Sequence, residues 1–264
     1  MLDLQHISKT FNPGTVNAKT ALRDLSLTLH EGDFVTVIGG NGAGKSTMLN
    51  AVAGSFSVDT GRIMIDGTDV THLPEHKRAA FIGRVFQDPM MGTAPTMQIE
   101  ENLALAARRG QRRGLKWGVT NAEREEYHEK LKMLGLGLED RMTAKVGLLS
   151  GGQRQALTLL MASLKRPKLL LLDEHTAALD PTTAAKVLEL SDKIVEENGL
   201  TAMMITHNMT DAIRHGNRLI MMMNGKIIYD VSGEEKAVLE VSDLLKKFEV
   251  STGEEFANDR MLLV

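Results

Sequence analysis

Residues 34–52 read FVTVIGGNGAGKSTMLNAV, and this stretch decides the fold. Residues 34–38 form a short, mainly apolar run that predicts a buried β-strand, and residues 46–52 have the spacing of a helix. The turn between them matches the pattern GxxxxGK[ST] at Gly39, Gly44, Lys45 and Ser46. A strand, a glycine-rich turn and a helix in this order predict a loop that binds the phosphates of a nucleotide.

Each part of this loop has a physical role in phosphate binding. Glycines allow consecutive backbone N–H groups to curl around phosphate oxygens, and the start of the helix adds a partial positive charge. We expect Lys45 to reach the β- and γ-phosphates and the Ser46 hydroxyl to ligate Mg²⁺. A glycine turn without a ligand is the alternative. The predicted nucleotide contacts are Gly39, Gly40, Asn41, Gly42, Ala43, Gly44, Lys45, Ser46 and Thr47.

Two adjacent acids follow a second apolar run. Residues 169–172 are four leucines, typical of a buried parallel strand, and they end in Asp173 and Glu174. Ligand chemistry in open α/β sheets lies at the carboxyl ends of the strands. Asp173 therefore suits the Mg²⁺ shell, and Glu174 suits the orientation or deprotonation of a water that attacks the γ-phosphate. Two solvated acids at a strand end are the alternative.

The pentad LSGGQ at residues 149–153 precedes a stretch of helical period. Ser150, Gly151 and Gly152 begin this predicted helix, so that a hydroxyl and free N–H groups face whatever lies beyond its start. The pentad is therefore predicted to be a second anion site, which includes Gln153. A plain N-cap serine is the alternative.

With these motifs and three more, the chain resembles the nucleotide-binding domains of ABC ATPases over nearly its whole length. The additional motifs are Gln87 after a strand at 81–86, the turn Ala178-Leu179-Asp180, and His207 after a strand at 202–206. The resemblance implies an α/β fold, namely a P-loop NTPase core of ABC type with an antiparallel β subdomain and a helical subdomain. It also implies ATP hydrolysis with ATP and Mg²⁺ as ligands.

The resemblance implies roles for single residues. Gln87 is expected to touch Mg²⁺ and the attacking water, and His207 to hydrogen-bond the γ-phosphate. Phe11 is similar to an aromatic that stacks on adenine, with a plain core phenylalanine as the alternative. Asp180 belongs to the nucleotide site. Two departures from the family are His175, where proline is frequent, and Ala177, where serine is frequent.

The resemblance further implies an assembly. The pentad of one subunit meets the γ-phosphate that the other subunit binds, so a homodimer holds two ATP molecules head to tail. The partner is a separate integral membrane permease, with an external substrate-binding protein as a further possible partner. Residues 87–93 and the short helical subdomain look similar to ATPases of amino-acid importers. An exporter ATPase, a soluble non-transport ABC ATPase and a non-catalytic regulator are the alternatives.

Composition agrees with one such subunit. The chain has 264 residues, 42% of them hydrophobic, a net charge of −3 and no cysteine. This balance gives no general attraction to nucleic acid, and the absence of cysteine excludes disulfides. Apolar runs such as residues 219–223 are far shorter than the roughly 20 residues that cross a bilayer, and they predict a core strand. We expect a peripheral protein on the cytoplasmic face of the membrane.

The pattern along the chain predicts one nucleotide-binding domain over residues 1–264. Residues 1–88 and 149–264 read as the ATPase core with the β subdomain, and residues 89–148 read as the helical subdomain. Helices are expected near 99–109, 121–134 and 182–197, and a hairpin around Asn224-Gly225. The basic stretch 108–117 is either a solvated loop or a docking segment for a permease or anionic lipid.

Overall fold

A computed structural model of the protein describes residues 1–111 and 118–252. The chain folds into two compact units. Among the described residues, the first unit contains residues 1–78 and 200–252, and the second contains the rest. The division predicted from the sequence, with a helical subdomain at 89–148, differs from this one and stays a prediction. Most of the basic stretch 108–117 and the tail beyond residue 252 lie outside the described residues.

The described residues form ten strands. They are β1 (Leu2–Phe11), β2 (Lys19–Leu29), β3 (Phe34–Ile38), β4 (Thr60–Ile65), β5 (Thr68–Asp69), β6 (Ile82–Val85), β7 (Leu169–Asp173), β8 (Thr201–Ile205), β9 (Arg218–Met223) and β10 (Lys226–Ser232).

The same residues form nine α-helices. They are α1 (Lys45–Ala53), α2 (Glu75–Arg78), α3 (Ile99–Ala107), α4 (Asn121–Lys132), α5 (Gly151–Ser163), α6 (Pro181–Glu197), α7 (Met209–Arg214), α8 (Gly233–Ala237) and α9 (Val241–Thr252). Two short 3₁₀ helices lie at Glu139–Arg141 and Val146–Leu148.

The first unit contains an antiparallel sheet and a mostly parallel group of strands. The antiparallel sheet has the order β2-β1-β4-β5. In the other group, β3 pairs in parallel with β8 on one side and with β9 on the other. Every residue of β3 and β8 is buried, which agrees with the mainly apolar sequences of these strands. The carboxyl end of β3 leads directly into the glycine-rich loop.

The predicted hairpin around Asn224-Gly225 is confirmed. Strands β9 and β10 are antiparallel, with Met223 opposite Lys226 and a two-residue turn between them. Asn224 and Gly225 both have positive φ, 50° and 77°, as a type I′ turn requires. The run of methionines from residue 221 packs in the core, and Met221 and Met222 are fully buried.

The second unit joins two parallel strands to four longer helices. Strands β6 and β7 pair in parallel, and α5 packs against both β6 and α6. Helices α3, α4 and α5 share a separate hydrophobic cluster that includes Ile99, Leu103, Tyr127, Leu131 and Leu157. The helices predicted near 99–109, 121–134 and 182–197 are confirmed as α3, α4 and α6, with starts within one residue and ends within two.

The first two arginines of the basic stretch, Arg108 and Arg109, form hydrogen bonds within the second unit. Arg108 donates to the Glu123 carboxylate at 2.8 Å. Arg109 donates to the carbonyl oxygens of Ala162 at 3.1 Å and Lys165 at 2.9 Å, at the end of α5. These two side chains are therefore structural, and they do not belong to a solvated loop.

In the part of the chain that the structure covers, none of the helices combines the length and the apolar character needed to cross a lipid bilayer.

Candidate functional site: a phosphate loop and a paired acid

The loop between β3 and α1 has a backbone that only glycine adopts easily. Gly39, Gly42 and Gly44 have φ values of 155°, 78° and 104°. Gly44 is the N-cap of α1, so Lys45, Ser46 and Thr47 occupy its first turn. Because the first N–H groups of a helix have no acceptor within it, this turn presents donors and a partial positive charge to an anion.

Close packing also demands glycine in this loop. A Cβ built on Gly44 lies 2.6 Å from the carbonyl oxygen of Ala21, and one built on Gly39 overlaps the carbonyl oxygen of Met222. The amide of Gly225 in the hairpin turn donates to the carbonyl of Ala43 at 2.9 Å. Strand β2 and the β9–β10 hairpin therefore pack against one side of the loop, and a ligand would bind on the other side.

Lys45 lies inside the loop. Its side chain is buried, and Nζ donates to the carbonyl oxygens of Gly39 at 2.7 Å and Gly40 at 3.2 Å. Ser46, by contrast, is exposed at the second position of α1. The ammonium group thus lies within the curl of the backbone, where phosphate oxygens would lie in a P-loop.

His207 lies at the same edge of the first unit as the loop. Strand β8 pairs with β3, with Ile205 opposite Val37, and the amide of Thr206 donates to the carbonyl of Val37 at 3.2 Å. His207 follows directly and is half-buried. The parallel pairing therefore brings the predicted histidine to the strand ends from which the phosphate loop begins.

Phe11 lies at the end of β1 and is half-buried. Its ring meets Phe56 edge to face, with centroids 5.3 Å apart and an interplanar angle of 81°. Across the ladder it is opposite Lys19 of β2. Adenine stacking by Phe11 stays a prediction, and so does the alternative of a packing role.

Lys19 is a candidate that sequence reasoning missed. Its Nζ lies 3.4 Å from the position of a Cβ built on Gly42, so an exposed cation stands beside the phosphate loop. A single lysine at the exposed start of a strand carries no motif. Only the folding of β2 against the loop reveals it.

In the second unit, β6 and β7 end side by side. Val85 is opposite Leu172, so Gln87 and the acids Asp173 and Glu174 follow at one edge. Gln87 is exposed, and both acids are half-buried. This is the edge at which α/β proteins carry their ligands.

Arg84 is a second residue that sequence reasoning missed. Its Nη2 lies 3.4 Å from Oδ2 of Asp173, and the two side chains are only 13% and 15% exposed. The guanidinium also stacks on the ring of Phe86, 4.5 Å from its centroid. An arginine in a short strand has no sequence signal of this kind, because the pairing of β6 with β7 creates the contact.

Glu174 has an unusual backbone. Its φ of 45° is in the left-handed region, which a residue with a Cβ adopts at a cost of about 1–3 kcal/mol. Its carbonyl accepts a hydrogen bond from the amide of Ala177 at 3.0 Å, which closes a tight turn after β7. Strained backbone of this kind is concentrated at functional sites.

The pentad begins α5 with a complete capping box. Ser150 Oγ accepts from the amide of Gln153 at 3.3 Å, and Gln153 Oε1 accepts from the amide of Ser150 at 3.2 Å. Ser150 and Gly151 are exposed, and a Cβ built on Gly152 overlaps the side chain of Thr183. The serine is therefore the N-cap of α5, and both its predicted contact with phosphate and the alternative of a plain cap stay predictions.

Asp180 caps the next helix. Its Oδ1 accepts from the amide of Thr183 at 3.1 Å, with Pro181 at the first helical position. Hydrogen bonds from the side chain and amide of Thr183 lower the pKa of the Asp180 carboxyl. The carboxylate is exposed, so its capping role does not exclude the predicted place in the nucleotide site.

The described residues contain no cluster of three or more His, Cys, Asp or Glu side chains that would hold a metal ion by themselves. The predicted Mg²⁺ ligands, the Ser46 hydroxyl, the Gln87 amide and the Asp173 carboxylate, are hard oxygen donors. Oxygen donors of this kind are those that Mg²⁺ prefers, usually one or two carboxylates together with water and substrate phosphates.

The fold and the glycine-rich loop together define a P-loop ATPase. Its two adjacent acids, Asp173 and Glu174, lie at the carboxyl end of β7. Residues 22–177 match the ABC transporter family. The chain belongs to this family, and it is the ATP-binding subunit of an ABC transporter, an ATPase.

Individual relatives agree. The chain is 45% identical to the "Tyrosine transport ATP-binding protein" of Clostridioides difficile, over 94% of this chain and 99% of that one. It is 36% identical to the "Methionine import ATP-binding protein MetN 2" of Enterococcus faecalis, over 94% and 70%. A dimeric ATP-binding cassette in a post-hydrolysis state, bound to ADP and Pi, superposes with a TM-score of 0.75 at 32% identity, over 88% of this chain and 98% of that one.

These similarities confirm the resemblance, the ABC-type α/β fold and the ATPase activity that the sequence implied. The roles of the individual site residues stay predictions.

Proposed function

We propose that this chain hydrolyses ATP to power import through a separate membrane permease, and that the imported solute is an amino acid. The observation that carries the proposal is the 45% identity to a tyrosine transport ATP-binding protein over nearly the full length of both chains. The similarity to a methionine import ATP-binding protein supports the same solute class. The proposals of import and of an amino acid as the solute thus rest on two relatives whose names give different solutes.

Nucleotide binding is assigned to the first unit. The backbone amides of residues 39–47 and the Lys45 ammonium hold the phosphates, and Lys19 adds a second cation beside Gly42. Phe11 offers a half-buried ring for adenine. Because the loop is rigidly packed against β2 and the hairpin, these groups lose little freedom when ATP binds.

Hydrolysis is assigned to Glu174, His207 and Gln87. Glu174 accepts the proton of the attacking water or orients it, His207 hydrogen-bonds the γ-phosphate, and Gln87 holds the water. Ser46, Gln87 and Asp173 would hold Mg²⁺, and the ion would supply positive charge against the charge that develops on the phosphates. The strained turn at Glu174 fixes the direction in which the carboxylate leaves β7.

The assembly is proposed to be a head-to-tail homodimer. The exposed start of α5 at Ser150 and Gly151 suits a phosphate supplied by a second subunit. The dimeric ADP-bound and Pi-bound cassette supports this arrangement. A permease then holds the dimer at the cytoplasmic face of the membrane, and an external binding protein delivers the solute. The predicted ATPase core at 1–88 and 149–264 and the helical subdomain at 89–148 belong to this proposal.

Turnover of ATP by the purified chain tests the enzymatic part. The wild type should hydrolyse ATP only with Mg²⁺, and Glu174→Gln should abolish turnover yet form an ATP-dependent dimer in size-exclusion chromatography. Lys45→Ala should weaken ATP binding at least tenfold, because it removes the charge inside the loop. Near-normal hydrolysis by Glu174→Gln would remove that residue from its role.

Uptake tests the transport part. The chain should co-purify with an integral membrane permease, and vesicles that contain both should accumulate radiolabelled tyrosine or methionine when ATP is supplied at the cytoplasmic side. Export of these solutes, or fractionation of the chain with ribosomes, would instead favour an exporter or a soluble ABC ATPase.

A further inference from the structure

A buried histidine follows directly after Glu174. His175 is 2% exposed, and its Nε2 lies 2.9 Å from Oγ of Ser191, which is 1% exposed. Ser191 lies on α6, which begins at Pro181 after the turn that carries Glu174. The side chain of His175 therefore ties this turn to the body of a long helix.

The direction of this hydrogen bond follows from the partners of Ser191. Ser191 Oγ donates to the carbonyl of Val187, one helical turn earlier, at 2.8 Å. A hydroxyl has one hydrogen to donate, so its oxygen accepts from His175. Nε2 of His175 is consequently protonated and acts as the donor.

The hydrogen bond between His175 and Ser191 lies next to the strained backbone of Glu174. Glu174 lies between Asp173, which β7 holds, and His175, which α6 holds, and its φ is 45°. A left-handed residue with a Cβ persists only where its surroundings hold it on both sides. If the anchor on the helix is lost, the turn relaxes and the carboxylate of Glu174 changes direction.

We propose that His175 is a positioning residue for Glu174, and that its Nε2–H bond to Ser191 holds the glutamate turn in its hydrolytic geometry. This inference rests on the proposed role of Glu174 in activating water.

Steady-state kinetics on four variants test the proposal. His175→Met and Ser191→Ala each remove the bond, and His175→Gln keeps an amide donor at a similar distance. We expect kcat to fall roughly tenfold to a hundredfold in the first two, because a misplaced general base loses its alignment. KM for ATP should stay within about twofold. His175→Gln should keep kcat within about threefold of the wild type.

The fourth variant combines His175→Met with Ser191→Ala and should be no slower than the slower single variant, since both remove one interaction. A merely structural pair would lower the melting temperature but leave kcat per folded, ATP-binding molecule unchanged, and this result would overturn the proposal. A parallel rise in KM, or equal losses in His175→Gln and His175→Met, would overturn it as well. If His175→Met does not fold, Ser191→Ala and His175→Gln decide by the same criteria.

Different results would contradict the positioning role of His175 and the proposed function. A wild type without turnover, or an active Glu174→Gln variant, counts against the function itself. In the Glu174→Gln background, His175→Met should still form the ATP-dependent dimer, because the anchor acts on hydrolysis and leaves binding intact. Loss of that dimer would count against the positioning role.

Discussion

Nη1 of Arg78 lies 2.7 Å from the carbonyl oxygen of Ala51 and 2.8 Å from that of Val52, at the C-terminus of the helix that begins in the phosphate loop. Its other nitrogens donate to the carbonyls of Leu73 and Thr71, at 2.8 Å and 3.0 Å. The side chain is 1% exposed, and burial lowers the pKa of its guanidinium. A buried cation thus satisfies carbonyls that α1 leaves without donors, and it complements the helix dipole.

Arg78→Met should therefore lower the free energy of unfolding by about 3 kcal/mol, because it leaves several buried carbonyls without donors. Urea unfolding followed by circular dichroism measures this change. Arg62→Met is the matched control, since Arg62 pairs with Asp69 at the surface, at 3.3 Å, and such pairs contribute about 0–1 kcal/mol. Equal effects of the two substitutions would contradict the capping role.

Ser150→Asp should separate the capping role of Ser150 from its predicted role toward phosphate. Aspartate caps helices as well as serine does, so α5 should keep its stability. The added negative charge opposes a γ-phosphate from the second subunit, so the ATP-dependent dimer of the Glu174→Gln background should disappear while ATP binding by the monomer stays within about twofold.

Ser150→Asn, which caps without charge, is the control and should retain most of the dimer. If the aspartate variant still dimerises, the start of α5 is not an anion site. If binding by the monomer collapses, the site does not act between subunits.

Arg84→Met should raise the affinity of the nucleotide-bound protein for divalent cations. Arg84 lies 3.4 Å from the Asp173 carboxylate and competes electrostatically with a metal ion there. Titration with Mn²⁺, followed by electron paramagnetic resonance in the presence of ADP, should show half-saturation at a concentration roughly three- to tenfold lower. Arg62→Met is again the control. An unchanged affinity in Arg84→Met would contradict the prediction that Asp173 is a metal ligand.

Stability should depend on pH through Glu100. The two hydrogen bonds from Arg124, at 2.7 Å and 2.9 Å, lower the pKa of the Glu100 carboxyl below its ordinary value. Its pKa is thus lower in the folded than in the unfolded chain. This contribution to stability is complete above the unfolded pKa of about 4.3 and is lost as the pH falls through the folded value.

Arg124→Gln should therefore destabilise the protein at pH 7, because it leaves the Glu100 carboxylate, which is only 6% exposed, without its partner. The difference from the wild type in urea unfolding should shrink between about pH 5 and pH 3. Lys130→Gln, which removes an exposed pair with Glu126 at 3.7 Å, is the control with little effect. A difference that does not change with pH would contradict this account.

Motifs whose residues are adjacent in the chain could be predicted from the sequence, because their geometry is local. The strand, loop and helix at residues 34–53, the hairpin at Asn224-Gly225 and the cap at Ser150 each depend on backbone conformations that neighbouring residues dictate. Long periodic helices such as α5 and α6 were predicted for the same reason. Helix ends were less certain, since α3 ends at Ala107 and not at Arg109.

Side chains that meet through strand pairing or helix packing could not be predicted. Arg84 meets Asp173 because β6 pairs with β7, and His175 meets Ser191 because the turn folds back onto α6. Arg108 and Arg109 read as parts of a basic loop, yet they bind Glu123 and the end of α5. Each contact joins residues that are between 15 and 89 positions apart in the chain. No local sequence pattern encodes contacts over such separations.

By itself, the sequence determined the family, the ATPase chemistry and the identity of the phosphate loop, because these depend on residue types at short, regular spacings. The tertiary structure alone decided which side chains lie next to that machinery, among them Arg78 at the end of α1, Lys19 beside the loop and the bonded pair of His175 and Ser191. The physical reason is that a buried polar group must find its partner wherever the fold brings one within hydrogen-bond distance.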